Sequence, residues 1–285
     1  MIISSIPKLR DPFIVNHGGV YYAYGTGWHC YKNASGALAG PWENLGQVVQ
    51  NPPDDDGQHW APEVHFYRNA YYMITTYRSS ENGHRGCAVL KADHPWGPFT
   101  YVSDGHITPK EWDCIDGTLY IDPDGQPWMV FVHEWTCQPD HVGTFAAAML
   151  SPDLTHIISN PIELFRADAP KWATAGVTDG CFMYTTAQGT LLMLWSNFAA
   201  DGYCVAIARS DNGRLDGNWS HDEERLFSKT VSGEYDGGHG MLFTDSNGQM
   251  YLSLHSPQTL EGATRLESPV FVPVREENNT LVWDR

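Results

Sequence analysis

Short apolar runs separated by turn residues dominate the chain, and no long window carries the helical period of apolar positions. The runs are rich in Val, Ile, Tyr, Trp and Phe, and Gly, Asn, Asp and Pro stand between them. This pattern is typical of β-strands joined by tight turns. The sequence therefore predicts an all-β protein.

A longer period groups these runs into five units. Each unit opens with a similar strand phrase, which a small turn connects to a strongly apolar second strand such as GVYYAYGTG or GTLLMLWSNF. The opening phrases are RDPFIV (10–15), APEVHFY (61–67), IDGTLYI (115–121), TDGCFMY (178–184) and GHGMLFT (238–244). Their marker residues recur roughly every 50 to 65 positions, a spacing typical of propeller repeats. The five markers are Asp11, Glu63, Asp116, Asp179 and His239.

Five units of about four antiparallel strands predict a five-bladed β-propeller that occupies residues 1–285 as a single domain, because radial repetition leaves only short, protected sheet edges. The last unit contains four strand-like runs of its own. The N-terminus therefore need not donate a closing strand, and closure of the ring would then rest on packing between the first and last blades.

Composition limits the classes of function. The formal net charge is -17 and no basic run occurs, so phosphate-rich partners such as nucleic acid are disfavoured. No apolar stretch reaches the ~20 residues that span a membrane, and the N-terminus lacks a secretory signal. We expect a cytoplasmic protein, or a secreted one if a leader has been removed. The 6 cysteines form no CxxC pair, which indicates buried free thiols instead of a zinc site.

The five markers carry the candidate chemistry. The first strand of every propeller blade lines the central channel, so residues at the starts of these strands should converge at one mouth. Four markers are carboxylic acids and one is histidine. Clustered carboxylates repel one another and lose hydration, so their pKa values should separate. An ionised base beside a protonated acid is the pair that glycoside hydrolysis requires.

The ends of the second strands should form the next ring around this mouth, where polar groups lie beside aromatic ones as in a sugar pocket. Two tryptophans there are candidates for stacking on a sugar ring, and the polar groups are candidates for binding its hydroxyls. For each residue taken alone, a purely structural role stays open. The candidate substrate-binding residues are Trp28, Glu63, Arg78, Trp135, Asn197 and His255.

The phrases RDPFIV…GVYYAYGTG, WAPEV, IDGTLYIDPDG and GGHGMLF resemble the blade openings of the family 43 glycoside hydrolases, over essentially the whole chain. The resemblance implies an inverting hydrolase with Asp11 as catalytic base, Asp116 as the residue that tunes the pKa, and the fourth marker as acid. The fourth marker departs from the family pattern, since Asp179 stands where the family has Glu. Either Asp179 or Glu134, at the end of the neighbouring second strand, would then donate the proton.

His239 matches the family's axial histidine, which implies a structural calcium or sodium ion in the channel, held mostly through water. Hydrogen bonding of His239 to a channel carboxylate is the alternative. No cofactor is expected to be required.

The predicted function is exo-acting hydrolysis that releases terminal α-L-arabinofuranose or β-D-xylose from oligosaccharides or plant and microbial polysaccharide fragments. A β-D-galactofuranosidase on the same scaffold and a non-catalytic carbohydrate-binding propeller are the alternatives. A phosphorylase is disfavoured, because few cations lie near the markers to bind phosphate.

Overall fold

Five antiparallel sheets surround a central channel in the computed structural model, which describes residues 1–284. The predicted five-bladed, almost entirely β architecture is confirmed. Blade one comprises β2 to β5 (Phe13–His17, Val20–Gly25, His29–Asn33 and Glu43–Gln47), and blade two comprises β6 to β9 (Trp60–Tyr67, Ala70–Arg78, Arg85–Ala92 and Thr100–Tyr101). Blade three comprises β10 to β13 (Cys114–Ile121, Pro127–His133, Thr144–Met149 and Ile162–Arg166). Blade four comprises β14 to β17 (Asp179–Thr185, Leu191–Ala199, Gly202–Ser210 and Trp219–His221).

The fifth blade contains strands from both ends of the chain. Its strands β18 to β21 are Gly238–Thr244, Met250–Ser256, Ser268–Glu277 and Thr280–Trp283, and β1 (Ile2–Ile3) pairs with β20. A short helix, α1 (Lys229–Ser232), precedes this blade. The side chain of Ser228 caps the start of α1, and Gly233 ends it with a φ of 73°.

The pairing of β1 shows that the expected closure without an N-terminal strand is wrong. Ile2 pairs with Phe271 and Ile3 with Val270. Strand β20 is ten residues long, and β21 covers its outer edge only from Val274 onward. The first half of that edge is therefore free to pair with β1, a consequence of strand length that the repeat pattern does not reveal.

The core lies between the blades. Apolar side chains of neighbouring sheets pack against each other around the ring, and the inner strands β2, β6, β10, β14 and β18 adjoin one another at the axis. All six cysteines are free, and five of them are buried, as the sequence predicted. No helix in the described part of the chain has the length and apolar character needed to cross a membrane.

Candidate active site

A shared backbone distortion orients the starts of the inner strands. One residue near each start has positive φ, which non-glycine residues seldom adopt, and in blades two to five the strand register shifts directly after it. The five positions are Asp11, Ala61, Asp116, Gly180 and His239. In blade four this position is Gly180, so Asp179 lies one residue before it. In blade two it is Ala61, so Glu63 lies two residues after it.

Three of the other four markers meet around the imidazole of His239. Its Nδ1 lies 3.3 Å from Asp11 Oδ1, 3.7 Å from Asp179 Oδ1 and 3.8 Å from Asp116 Oδ2. The His239 amide donates to Ser196 Oγ at 2.8 Å, which anchors the histidine to the neighbouring blade. Blades one, three and four thus supply one carboxyl each, and all three lie near the same ring nitrogen of His239 in blade five.

Asp11 is held in its ionised form. The hydroxyl of Thr26 donates to its Oδ2, and His255 Nδ1 lies 3.3 Å from its Oδ1. Burial raises the pKa of Asp11, but the combined effects of His239, His255 and Arg10 outweigh burial and hold the pKa well below its usual range. An ionised carboxylate at the channel mouth is chemically suited to accept a proton from water.

Asp116 is held in the opposite state. Its side chain is only 4% exposed, and burial followed by the charge of Asp179 raises its pKa well above the usual range. The Gly180 amide donates to Asp116 Oδ2 at 3.0 Å and lowers the pKa in part. Asp116 is therefore the carboxyl of the cluster that burial and its neighbours favour in the protonated form.

Asp179 is the most accessible of the three carboxyls, with its side chain 22% exposed. It begins β14 opposite Ser196, and the hydroxyl of Tyr203 donates to its Oδ2. It is therefore the carboxyl of the three that a bound substrate reaches most easily.

Glu134 lies in a separate ion pair, where Arg85 Nε donates to its Oε2 at 2.6 Å. The same guanidinium contacts Gln58, Thr136 and Asp113. Burial raises the pKa of Glu134, and Arg85 opposes this rise. No described contact joins Glu134 to the cluster around His239, so Asp179 is the better placed of the two candidate acids.

Three candidate substrate-binding residues are committed to internal contacts. Trp28 is fully buried, donates to Thr75 Oγ1 at 2.7 Å and stacks on His59 with ring centroids 3.8 Å apart. Asn197 is also fully buried, and its amide group bonds only to backbone atoms. His255 is also fully buried, and its Nδ1 lies 3.3 Å from Asp11 Oδ1.

The other three lie in different surroundings. Glu63 is buried inside the channel and bonds to His65 Nε2 at 2.9 Å. Arg78 is a surface side chain whose Nε donates to the Gly83 carbonyl at 3.0 Å. Trp135 is partly buried against the core between blades three and four.

Sequence reasoning missed Tyr203, Thr76 and Arg85. Tyr203 and Arg85 lie at the starts of third strands, at the end of the blade where the second strands finish. Thr76 lies within a second strand and accepts the Asp116 amide at 3.0 Å. The predicted strand order could have indicated the first two, since every third strand begins at the same end of its blade as the first.

The geometry thus defines a carboxylate-lined site of the glycoside hydrolase type on a five-bladed propeller. The chain belongs to the glycosyl hydrolases family 43, whose family model matches residues 6–273. Among solved structures, the chain is similar to an endo-arabinase from Bacteroides thetaiotaomicron, with 34% identity, a TM-score of 0.84 and coverage of 98% of this chain and 99% of that one.

Curated relatives point in the same direction. A probable arabinan endo-1,5-alpha-L-arabinosidase A from Emericella nidulans is 24% identical over 260 residues, which cover 87% of this chain and 74% of the relative. A probable arabinan endo-1,5-alpha-L-arabinosidase B from Aspergillus oryzae is 35% identical over 105 residues, 35% of this chain. This second match spans 29% of the relative's length.

Proposed function

We propose that the protein is an endo-acting arabinanase that cleaves α-1,5-linked L-arabinan with inversion of configuration. The observation that carries the chemistry is the convergence of the Asp11, Asp116 and Asp179 carboxyls on His239 Nδ1, with the pKa of Asp11 lowered and the pKa of Asp116 raised. The full-length similarity to an endo-arabinase supports the substrate class and favours endo over the exo action expected from sequence.

In the proposed reaction, Asp11 accepts a proton from the attacking water while Asp179 protonates the departing glycosidic oxygen. Asp116 lies beside Asp179 at the same ring nitrogen. His239 Nδ1 lies near both carboxyls, 3.3 Å from Asp11 Oδ1 and 3.7 Å from Asp179 Oδ1.

Three side chains at the channel mouth could act as ligands of the proposed cation. Oxygen or nitrogen atoms of Asp116, Asp179 and His239 lie within 4.8 Å of one another. Calcium takes about 6–8 oxygen ligands, so these three groups could hold it only with water completing the shell. The ion would supply positive charge that offsets the repulsion of the carboxylates. Thermal unfolding with added calcium, sodium or chelator tests this proposal, because a bound ion raises Tm.

Activity on linear α-1,5-arabinan distinguishes endo from exo cleavage. We expect solution viscosity to fall early relative to the reducing ends formed, and oligosaccharides to precede arabinose. Release of arabinose alone, with slow loss of viscosity, would contradict the endo proposal. A panel of nitrophenyl α-L-arabinofuranoside, β-D-xyloside and β-D-galactofuranoside tests the other sugars, and NMR of the first anomer released tests inversion.

A matched inactive protein makes this assay decisive. Asp11→Asn keeps the size of the side chain but removes the base, and we expect turnover to fall by about 10²–10⁴-fold. Binding of arabinan by Asp11→Asn, together with no turnover by the unmodified protein on any glycoside, would instead favour a carbohydrate-binding propeller.

A further inference from the structure

Tyr203 links the two sides of the carboxylate cluster. It is the second residue of β16, is only 1% exposed, and donates its hydroxyl hydrogen to Asp179 Oδ2. Its ring stacks on His255 with centroids 5.7 Å apart and planes inclined by 24°. His255 in turn contacts Asp11. One side chain therefore touches the candidate acid directly and the candidate base through a single intermediate.

Two glycines make room for this arrangement. A Cβ at Gly238 would lie 2.3 Å from Tyr203 Cε1, far inside van der Waals contact. A Cβ at Gly202 would lie 2.7 Å from Asp236 Oδ2, the atom that accepts the Tyr203 amide at 3.2 Å. The ring and the backbone of Tyr203 are thus both fixed by close neighbours.

The phenol remains a hydrogen-bond donor over the working pH range. Burial, followed by the negative charge of Asp179, raises the pKa of Tyr203 well above its usual range. The hydroxyl is therefore a permanent donor and does not supply the transferred proton. The charged and titratable groups around Asp179 and Tyr203 are Asp11, Asp116, His239, His255 and Arg10.

We propose that Tyr203 is a positioning residue for proton donation, which holds Asp179 Oδ2 so that Asp179 Oδ1 keeps its place beside Asp116 and His239. Oδ1 and Asp116 Oδ2 both lie beside His239 Nδ1, which is consistent with this division of roles. The proposal rests on Asp179 being the acid. It also accounts for how an aspartate, shorter than the family's glutamate, keeps a fixed orientation.

Tyr203→Phe is the decisive variant, because it keeps the ring and its stacking on His255 while it removes the hydroxyl. Without this hydrogen bond the Asp179 carboxyl is free to turn away from Asp116, so kcat should fall while KM changes little. Turnover of arabinan should fall about 10-fold or more, whereas an aryl arabino-oligoside, whose leaving group needs little protonation, should be hydrolysed at nearly the normal rate.

Tyr184→Phe provides the matched control. Its hydroxyl donates to Glu276 Oε2 at 3.1 Å, so the control also removes one hydroxyl-to-carboxylate bond from blade four, but away from the cluster. We expect an unchanged kcat and an unchanged leaving-group dependence for it. If Tyr203→Phe has the same kcat and leaving-group dependence as this control, or loses activity on both substrates equally, the positioning role is wrong.

Asp179→Asn separates this failure from failure of the underlying assignment. If Asp179 is the acid, its amide variant should lose arabinan hydrolysis and retain aryl hydrolysis. If Asp179→Asn passes that test and Tyr203→Phe does not, only the role of Tyr203 is contradicted. If Asp179→Asn fails it, the acid itself is misassigned and the proposal for Tyr203 falls with it.

Discussion

The amide of Gly180 donates to Asp116 Oδ2 at 3.0 Å and thereby joins the inner strands of blades three and four at the channel mouth. Gly180 directly follows Asp179 and has a φ of 54°, so the bend that aims this amide also places the Asp179 carboxyl beside Asp116. A Cβ at Gly180 would lie 2.8 Å from the Cα of His239, which leaves no room for a side chain there. The close approach of the Asp116 and Asp179 carboxyls therefore depends on the backbone geometry at Gly180.

The competing acid candidates predict different leaving-group effects. Asp179→Ala should abolish most hydrolysis of arabinan but retain hydrolysis of aryl glycosides, because only the natural linkage needs a proton at its leaving oxygen. Glu134→Ala should lower stability instead, since it leaves the Arg85 guanidinium without its main partner. Rates on both substrates and Tm distinguish the two. The opposite pattern would make Glu134 the acid.

Replacement of Asp116 or Asp11 by asparagine should change Tm with opposite signs. The raised pKa of Asp116 means that its contribution to stability is present below the unfolded pKa, about 4, and is lost as pH rises toward the folded value. Asp116→Asn should therefore raise Tm at pH 8 more than at pH 5, although activity falls. A Tm difference that does not depend on pH would contradict the protonated state of Asp116.

The lowered pKa of Asp11 gives the reverse sign. Its contribution to stability is present above the unfolded pKa and is lost as pH falls toward the folded value. Asp11→Asn should therefore lower Tm at pH 7 and have less effect near pH 3. Thermal unfolding across this range measures the effect, and an increase in Tm at neutral pH would show that repulsion among the carboxylates outweighs the histidine contacts.

The contact between His255 and Asp11 predicts the acidic limb of the pH profile. His255→Phe keeps an aromatic ring beside Tyr203 but removes the nitrogen next to Asp11, so the pKa of the base should rise, and the acidic limb of kcat/KM with it, by about one unit. His221→Phe is the control, since neither ring nitrogen of His221 has a hydrogen-bond partner. Equal profiles for the two variants would contradict the role of His255.

Trp28 should act in stability and not in binding. Trp28→Ala should lower the free energy of unfolding by about 3–5 kcal/mol, the usual cost of deleting a large buried aromatic ring. Trp28→Phe should keep most of this packing and leave KM for arabinan unchanged. Denaturant unfolding and steady-state kinetics test both, and a raised KM with normal stability would restore the sugar-stacking interpretation.

The repeat pattern was sufficient to predict the propeller and the convergence of Asp11, Asp116, Asp179 and His239, because strand order alone brings the blade starts together. It could not predict the surroundings of Trp28, whose φ of 58° accompanies a fully buried ring stacked on His59. The surroundings of Glu63 were missed for a similar reason, because Glu63 lies two residues after Ala61, the residue of β6 at the position equivalent to Asp116. Single-residue changes in backbone conformation leave no periodic signal.

The pairing of β1 with β20 closes the ring of blades at the place where the proposed catalytic base lies, so catalysis should depend on this closure. Asp11 comes from the first blade and both histidines that contact it come from the last, so the proposed base is assembled across the seam where the chain ends meet. The Arg10 to Glu267 ion pair spans the same seam. Any loosening of this junction would separate Asp11 from His239 and His255 while blades two to four stay folded, and activity would be lost before global unfolding.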